Sequence, residues 1–437
     1  MTSEPRPAGQ AGPLPAGRNV WLVAGMLSLA HAMSVMDRYL LSVVLEDVKA
    51  HLALTDTQLG ILQGPAFVLF YMTASIPLGR VADVGSRRLL AAGGLLIWTV
   101  ATLVCGLATN FAQLLGARMV VGLGEAALLP AAMSLITAYF TKDKLSRGIA
   151  IYTMGGTIGR SAAFIVGGAG FAWAVARGGL RPFGLVDLAP WQTVFVAAGL
   201  LGIPIALLLL AVVREPPRVP RVKTGWRAGG LAFFWRNFQC YMAIFIPFAM
   251  ASAIQALLGA WGVSFFLRIH KLEVAAVTFL VGMTSLLVGP GRSLVGGWLN
   301  DELCKRGLRG AQAWVLGGAL PLAAVCVILF AVAPLPLSVL GYGAAYFCLA
   351  AAAPTAYSGV QVVTEDAHRG LLSALMLVFA AGLGTQVGPM LVGLLSDTFT
   401  TQQPLRSAVI ATVLVLCAVG TIANWLCKGA FEKRVAD

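Results

Sequence analysis

The chain is a succession of long apolar runs separated by short polar turns. Runs rich in Leu, Val, Ala, Ile and Phe occupy residues 20–45, 58–80, 89–110, 112–140, 148–175, 191–213, 237–268, 273–299, 310–332, 335–363, 371–396 and 405–427. About 20 apolar residues suffice to cross a bilayer as a helix. None of the runs alternates with the two-residue period of a barrel strand. The pattern predicts an all-α integral membrane protein with twelve transmembrane helices. The first run carries Asp37-Arg38 and is not followed by a small-residue cleavage site, so it reads as a retained helix and not a signal peptide. Residues 1–18, rich in Pro, Gly and Ala, read as a disordered N-terminal tail. The Pro-containing basic stretch 214–236 reads as a cytoplasmic linker between two six-helix bundles, 19–213 and 237–427, with 428–437 as a C-terminal tail.

Composition excludes a soluble protein. Charged residues make up 11% of the chain, hydrophobic ones 58%, and mean hydropathy is +0.84; soluble domains carry roughly 25% charged residues. The net charge of +13 is unevenly placed. Of 31 Lys and Arg residues, 21 fall in the loops on the side of the N-terminus, six on the other side and four within spans. That bias places both termini in the cytoplasm of a bacterial-type inner membrane. It also suits contact with anionic lipid headgroups, and needs no nucleic-acid partner. The seven cysteines form no CxxC pair, so no disulfide framework or metal site is indicated. HExxH, Gly-x-Ser-x-Gly and GxxxxGK[ST] are absent, and neither an enzyme nor a cofactor is expected.

A repeat divides the chain. The loop after span two reads Gly79-Arg80-Val81-Ala82-Asp83 followed by Arg87-Arg88, and the loop after span eight reads Gly297-Trp298-Leu299-Asn300-Asp301 followed by Lys305-Arg306. Spans five and eleven open with Arg147-Gly148 and Arg369-Gly370. Two parallel sets of six helices form a transporter architecture. GRVADVGSRR resembles the major facilitator loop signature, and Arg118-x-x-x-Gly122-x-Gly124-Glu125 resembles that superfamily's fourth-helix motif. MDRYLLSVVLEDV and ARMVVGLGEAALLP are similar to the Spinster branch. The resemblance implies a monomeric secondary carrier working by alternating access. It also implies that the first and fourth helices of each half line a central cavity. Gly79, Asp83, Arg87, Arg88, Arg147 and Asp301 are then expected to form a cytoplasmic gate, in which Asp83 caps the eleventh helix and pairs with Arg147. Val84 stands where the superfamily often has arginine.

Six charges fall well inside spans: Asp37, Arg38, Arg118, Glu125, Arg160 and Arg292. Each costs at least about 2.5 kcal/mol at the bilayer centre unless it has a partner or a wet cavity. Neighbouring helix positions point about 100° apart, so Asp37 and Arg38 do not neutralise each other. Arg118 and Glu125, seven apart, share a face. Asp37 and Glu125 are the candidate proton-coupling carboxylates, and Arg38 and Arg118 the candidate anion ligands. The alternative is a set of static pairs, Asp37 with Arg118 or Glu125 with Arg38. His31 shares a face with Arg38. Arg160 stands among glycines in span five, where the family pattern has small residues, and is a candidate second anion contact. The glycines of spans five and eight predict close packing of those helices.

The cavity helices of the second half, seven and ten, offer Gln255, Tyr357 and Gln361 with further tyrosines, and carry no acid or base well inside the membrane. A cavity charged on one side and apolar on the other suits an amphipathic anion, and Spinster resemblance implies a lysophospholipid or sphingolipid phosphate moved with protons. The alternatives are a proton-coupled carrier of small organic anions, such as carboxylates or phosphate esters, and a non-transporting membrane sensor. Span five lacks the Gly-Pro pair of drug–proton antiporters, which argues against that class.

Overall fold

The computed structural model describes residues 20–141, 144–180, 187–217, 230–365 and 368–436. The expected tail 1–18 and the linker stretch 218–229 lie outside the described residues. The first half comprises α1 (Val20–Leu52), α2 (Asp56–Gln63), α3 (Pro65–Val84), α4 (Arg87–Gly106), α5 (Phe111–Glu125), α6 (Leu128–Tyr139), α7 (Leu145–Ala176) and α8 (Pro190–Val212). The short α9 (Gly230–Arg236) precedes the second: α10 (Phe238–His270), α11 (Val274–Lys305), α12 (Ala311–Val332), α13 (Leu335–Ala350), α14 (Ala352–Val363), α15 (Arg369–Phe379), α16 (Thr385–Thr398) and α17 (Pro404–Ala436). A π-helical stretch, Ala380–Gly384, joins α15 to α16.

The pairs α2–α3, α5–α6, α13–α14 and α15–α16 each make one pass. Ten passes are long and apolar enough to cross a membrane by themselves. The other two are α11, whose apolar part is Val274–Val288, and α15–α16, broken by the π-helical stretch. The helices overrun the apolar runs at several ends. α1 continues past residue 45 through Glu46, Asp47 and Lys49, α17 runs to Ala436, and α9 lies within the expected linker. Most of the expected C-terminal tail is therefore helical. Hydropathy marks where lipid ends, whereas Lys, Glu and Arg are good helix formers and let the backbone continue into water.

Twelve passes bring Val20 and Ala436 to the same end, here the near end; the turns 53–55 and 271–273 mark the far end. Glycines set the closest helix approaches. A methyl group on Gly155 or Gly159 of α7 would stand 2.2 Å from the Ser28 carbonyl oxygen or 2.1 Å from that of Ala32. Only glycine lets the backbones of α1 and α7 touch. The expected contact between spans five and eight is present: Gly168 packs on Thr278 and Gly282 on Ile165.

Polar contacts bind the halves at the far end. Arg268 of α10 donates to both Asp56 oxygens, at 2.7 and 2.9 Å, and to both Glu46 oxygens, at 2.9 and 3.0 Å. Asp56 also accepts from Lys49 at 2.5 Å and Ser396 at 2.7 Å. Asp397, at the end of α16, accepts the backbone N–H groups of Asp56 and Thr57 at 3.0 and 2.7 Å and so caps α2 from across the interface. Thr55 and Gln58 close a capping box on the same helix start. Arg268→Ala should loosen this clasp, and single cysteines at residues 57 and 396 should then react faster with a membrane-impermeant thiol reagent. The exchanged pair Asp56→Arg/Arg268→Asp should restore much of the protection.

Candidate functional site

Helix phase separates the adjacent charges of α1. Asp37 turns into the first half and is 1% exposed, as are Arg118 and Glu125 of α5. Arg38 turns the other way, with 36% of its side chain exposed. Arg38 Nη2 meets Glu125 Oε2 at 2.6 Å, and Ser34 Oγ donates to the same oxygen at 2.6 Å. The Arg38 guanidinium also lies 4.6 Å from the centroid of the Phe67 ring and 5.4 Å from that of Tyr71. Arg118 lies 5.7 Å from the same Phe67 ring, so this ring is shared by two cations.

Asp37 accepts from Thr102 Oγ1 of α4 at 3.2 Å. Arg118 Nη1 reaches the Asp37 backbone oxygen at 3.4 Å and not its carboxylate. Among the described residues, Asp37 Oδ1, Glu125 Oε1 and Arg118 Nε and Nη2 are buried and find no hydrogen-bond partner. Of the two static pairs considered from sequence, the structure forms Glu125–Arg38 and leaves Asp37–Arg118 as a backbone contact.

Beside this cluster is a mid-membrane cavity of about 340 Å³. Its polar lining includes Arg38, Ser42, Gln63, Thr157, Arg160 and Ser285, and its apolar lining includes Phe67 and Ala260. The lining comes from α1, α2, α3, α7, α10, α11 and α16. The first helix of each half contributes to this wall. None of the residues that line it lies on α5, α6, α13 or α14, and Phe67 and Arg38 stand between α5 and the opening. Arg38 and Arg160 face the cavity; Asp37, Arg118 and Glu125 form a layer behind it.

Arg160 donates to the Tyr39 hydroxyl and lies 4.5 Å from that ring's centroid and 5.7 Å from that of Tyr346. His31 stacks on Tyr152 at 4.5 Å, with Nδ1 3.0 Å from the Tyr152 backbone oxygen, which is a packing role. Gln255 donates to the Leu349 carbonyl at 2.9 Å and does not line the cavity. Tyr357, against Phe248, and Gln361, donating to Ser373, are exposed toward the near end of α14. The side chain of Arg292 lies outside the described residues.

Gly79, Asp83, Arg147 and Asp301 all lie toward the near end, and the three charged ones are exposed. Arg87 and Arg88 turn to the end of α8. Arg87 Nε pairs with Glu215 at 2.7 Å, and the Arg88 N–H donates to Glu215 Oε2 at 2.9 Å. Burial opposes ionisation of Glu215, but the donors from Arg88, Arg87 and Ser86 outweigh it and hold the carboxyl below its usual range. Sequence reasoning missed Glu215 and the far-end clasp. Both consist of charges at helix ends, which look like ordinary loop residues until their partners are placed.

The sequence model of the Major Facilitator Superfamily matches residues 27–369. The chain belongs to that superfamily. Over 431 residues it is 28% identical to an MFS-type efflux pump of Mycolicibacterium smegmatis, covering 96% of this chain and 95% of that protein. Over 264 residues it is 28% identical to Protein spinster homolog 1 of Homo sapiens, covering 58% of this chain and 46% of that protein. The chain thus spans about half the length of that relative. A bacterial homologue of the human lysosomal transporter Spinster, crystallised inward-facing and unoccupied, superposes with a TM-score of 0.84 at 25% identity. That match covers 95% of this chain and 98% of the other. The protein is a multi-span major facilitator transporter that is similar to Spinster proteins.

The Arg38–Glu125 geometry has a stability consequence. Arg38→Leu leaves the Glu125 carboxylate buried without its cation and should cost about 3 kcal/mol. The Arg38→Leu/Glu125→Leu double variant should recover most of that loss. Thermal unfolding in detergent checks both.

Proposed function

We propose that this transporter moves an amphipathic anion by alternating access, coupled to protons through Glu125. The observation that carries the reading is the position of Arg38. One side of its guanidinium faces the cavity, and the other holds a carboxylate that is itself buried. An anion entering the cavity competes with Glu125 for this cation. A buried carboxylate that loses its partner becomes costly as an ion, and taking up a proton removes the cost. Anion and proton thereby occupy the site together, and release of one favours release of the other. The Asp37 carboxylate, with Thr102 beside it and Arg118 against its backbone, is the second protonatable group of the layer.

The basic-residue bias places the near end in the cytoplasm. The far-end clasp then closes the outward side, and the cavity belongs to a state loaded from or emptied into the cytoplasm. Asp83 and Arg147, exposed toward the near end, are the proposed residues of a gate that closes this side in the opposite state. The lining suits a charged head followed by a tail, since both cations lie on α1 and α7 and face Ala256, Ala260 and Pro389 of the second half, whose polar contribution is limited to the hydroxyls of Ser285 and Thr385. One observation favours the small-anion alternative: about 340 Å³ is near the lower end for ligand sites and encloses a headgroup more readily than a whole lipid.

In proteoliposomes, Glu125→Gln should abolish pH-gradient-driven uptake while retaining ligand binding, and Asp37→Asn should reduce it at least tenfold. Wild-type rates in both variants would remove the coupling role. Affinity rising with acyl length in a series with one headgroup supports the amphiphile; indifference to length selects the small organic anion. Binding without counterflow would instead make the protein a sensor.

A further inference from the structure

Among the described residues, Arg38 and Arg160 are the two cations on the cavity wall, and they differ in what neutralises them. Arg38 is already paired with Glu125. Among the described residues Arg160 forms no ion pair; its contacts are the Tyr39 hydroxyl and the faces of Tyr39 and Tyr346. None of the residues lining the cavity is acidic. A neutral hydroxyl and two π-faces hold a guanidinium in place without cancelling its charge.

The surroundings fix Arg160 between the halves. Tyr39 and Arg160 belong to the first half, and Tyr346 to the second. Gly259 of α10 makes room for this meeting: a methyl group there would stand 2.7 Å from the Tyr39 ring and 3.2 Å from the Tyr346 hydroxyl. Tyr346 is anchored in turn, its hydroxyl donating to the Gln255 backbone oxygen at 3.3 Å, and its ring lies edge-on to Tyr342 at 5.1 Å.

We infer that Arg160 is the residue that first recruits and selects the anion, before that anion competes with Glu125 for Arg38, and that this state takes a headgroup with a single negative charge, a phosphodiester or a carboxylate. The inference rests on the proposed carriage of an amphipathic anion and assigns its receptor. A site in low dielectric favours a near-zero enclosed charge. With Arg38 paired to Glu125, and Arg118 lying against Asp37 in the layer behind, one negative charge matches Arg160. A phosphomonoester, which carries close to two charges above pH 7, brings a surplus for as long as Glu125 occupies Arg38. Protonation of Glu125 releases Arg38 and makes room for the second charge, so the protonation state sets the valence that the cavity accepts.

Binding to the purified full-length protein in neutral detergent, followed by intrinsic tryptophan fluorescence at pH 8, tests this. The probes are lysophosphatidylglycerol, lysophosphatidate and lysophosphatidylcholine of one chain length. The wild type should bind the phosphodiester monoanion most tightly. Arg160→Gln should weaken that binding at least tenfold, while Arg160→Lys, which keeps the charge, should stay within a few-fold. Glu125→Gln should move the preference toward lysophosphatidate. Unchanged binding in Arg160→Gln, equal affinity for lysophosphatidylcholine, or a preference indifferent to Glu125→Gln would each overturn the assignment. If Arg160→Gln does not fold, loss of charge discrimination in Arg160→Lys overturns it too. The readout is binding and not flux. Intact binding without proton-driven uptake therefore defeats the transport reading alone, and absence of binding by every probe defeats both.

Discussion

An ionised carboxylate deep in a membrane helix bundle persists only beside a cation. For Glu125 that cation is Arg38, donated from α1 across to α5. Much of the local architecture serves to keep the two in register. Ser34 shares the same carboxylate oxygen, and Phe67 packs against the guanidinium. Gly122 lets the α3 backbone come close to α5, where a methyl group would stand 2.2 Å from the Phe67 carbonyl oxygen. Gly155 and Gly159 hold α7 against α1 on the other side. The pair is thus fixed from several directions, yet one face of it remains open to the cavity.

That arrangement joins stability and function in one contact. A pair wholly sealed inside the bundle would be inert, and a pair wholly in the cavity would be solvated and weak. In the proposed mechanism, the carboxylate inside and the guanidinium at the wall would let ligand charge act on a protonatable group behind that wall. The Asp37 and Arg118 layer behind it extends the same principle, with buried polar atoms left over on both residues. Such leftover capacity is costly in a static core and useful in one that changes partners.

The far-end clasp plays the complementary part. Asp56 collects donors from Arg268, Lys49 and Ser396, and Asp397 caps α2 from the opposite half. Glycine contacts bring α2 and α16 together, since a methyl group on Gly60 would stand 2.8 Å from the Pro389 carbonyl oxygen. Closing one end tightly lets the two halves move at the other, and the π-helical break between α15 and α16 falls between the clasped part and the near end.

Hydropathy alone determined the number of passes and their order, because lipid demands long apolar helices whatever they pack against, and the recurring charged loop motifs indicated the two-half repeat. The phase of α1 also determined that Asp37 and Arg38 would face different surroundings. What the chain could not determine by itself was which surroundings. The helices that line the cavity, the choice of Glu125 over Asp37 as the ion-pair partner, and the commitment of Arg87 and Arg88 to Glu215 all depend on helix rotation and tilt. Those are set by glycine contacts between segments far apart in sequence, such as Gly159 with Ala32 and Gly168 with Thr278. Periodicity fixes a face on each helix; only the packed bundle decides what that face meets.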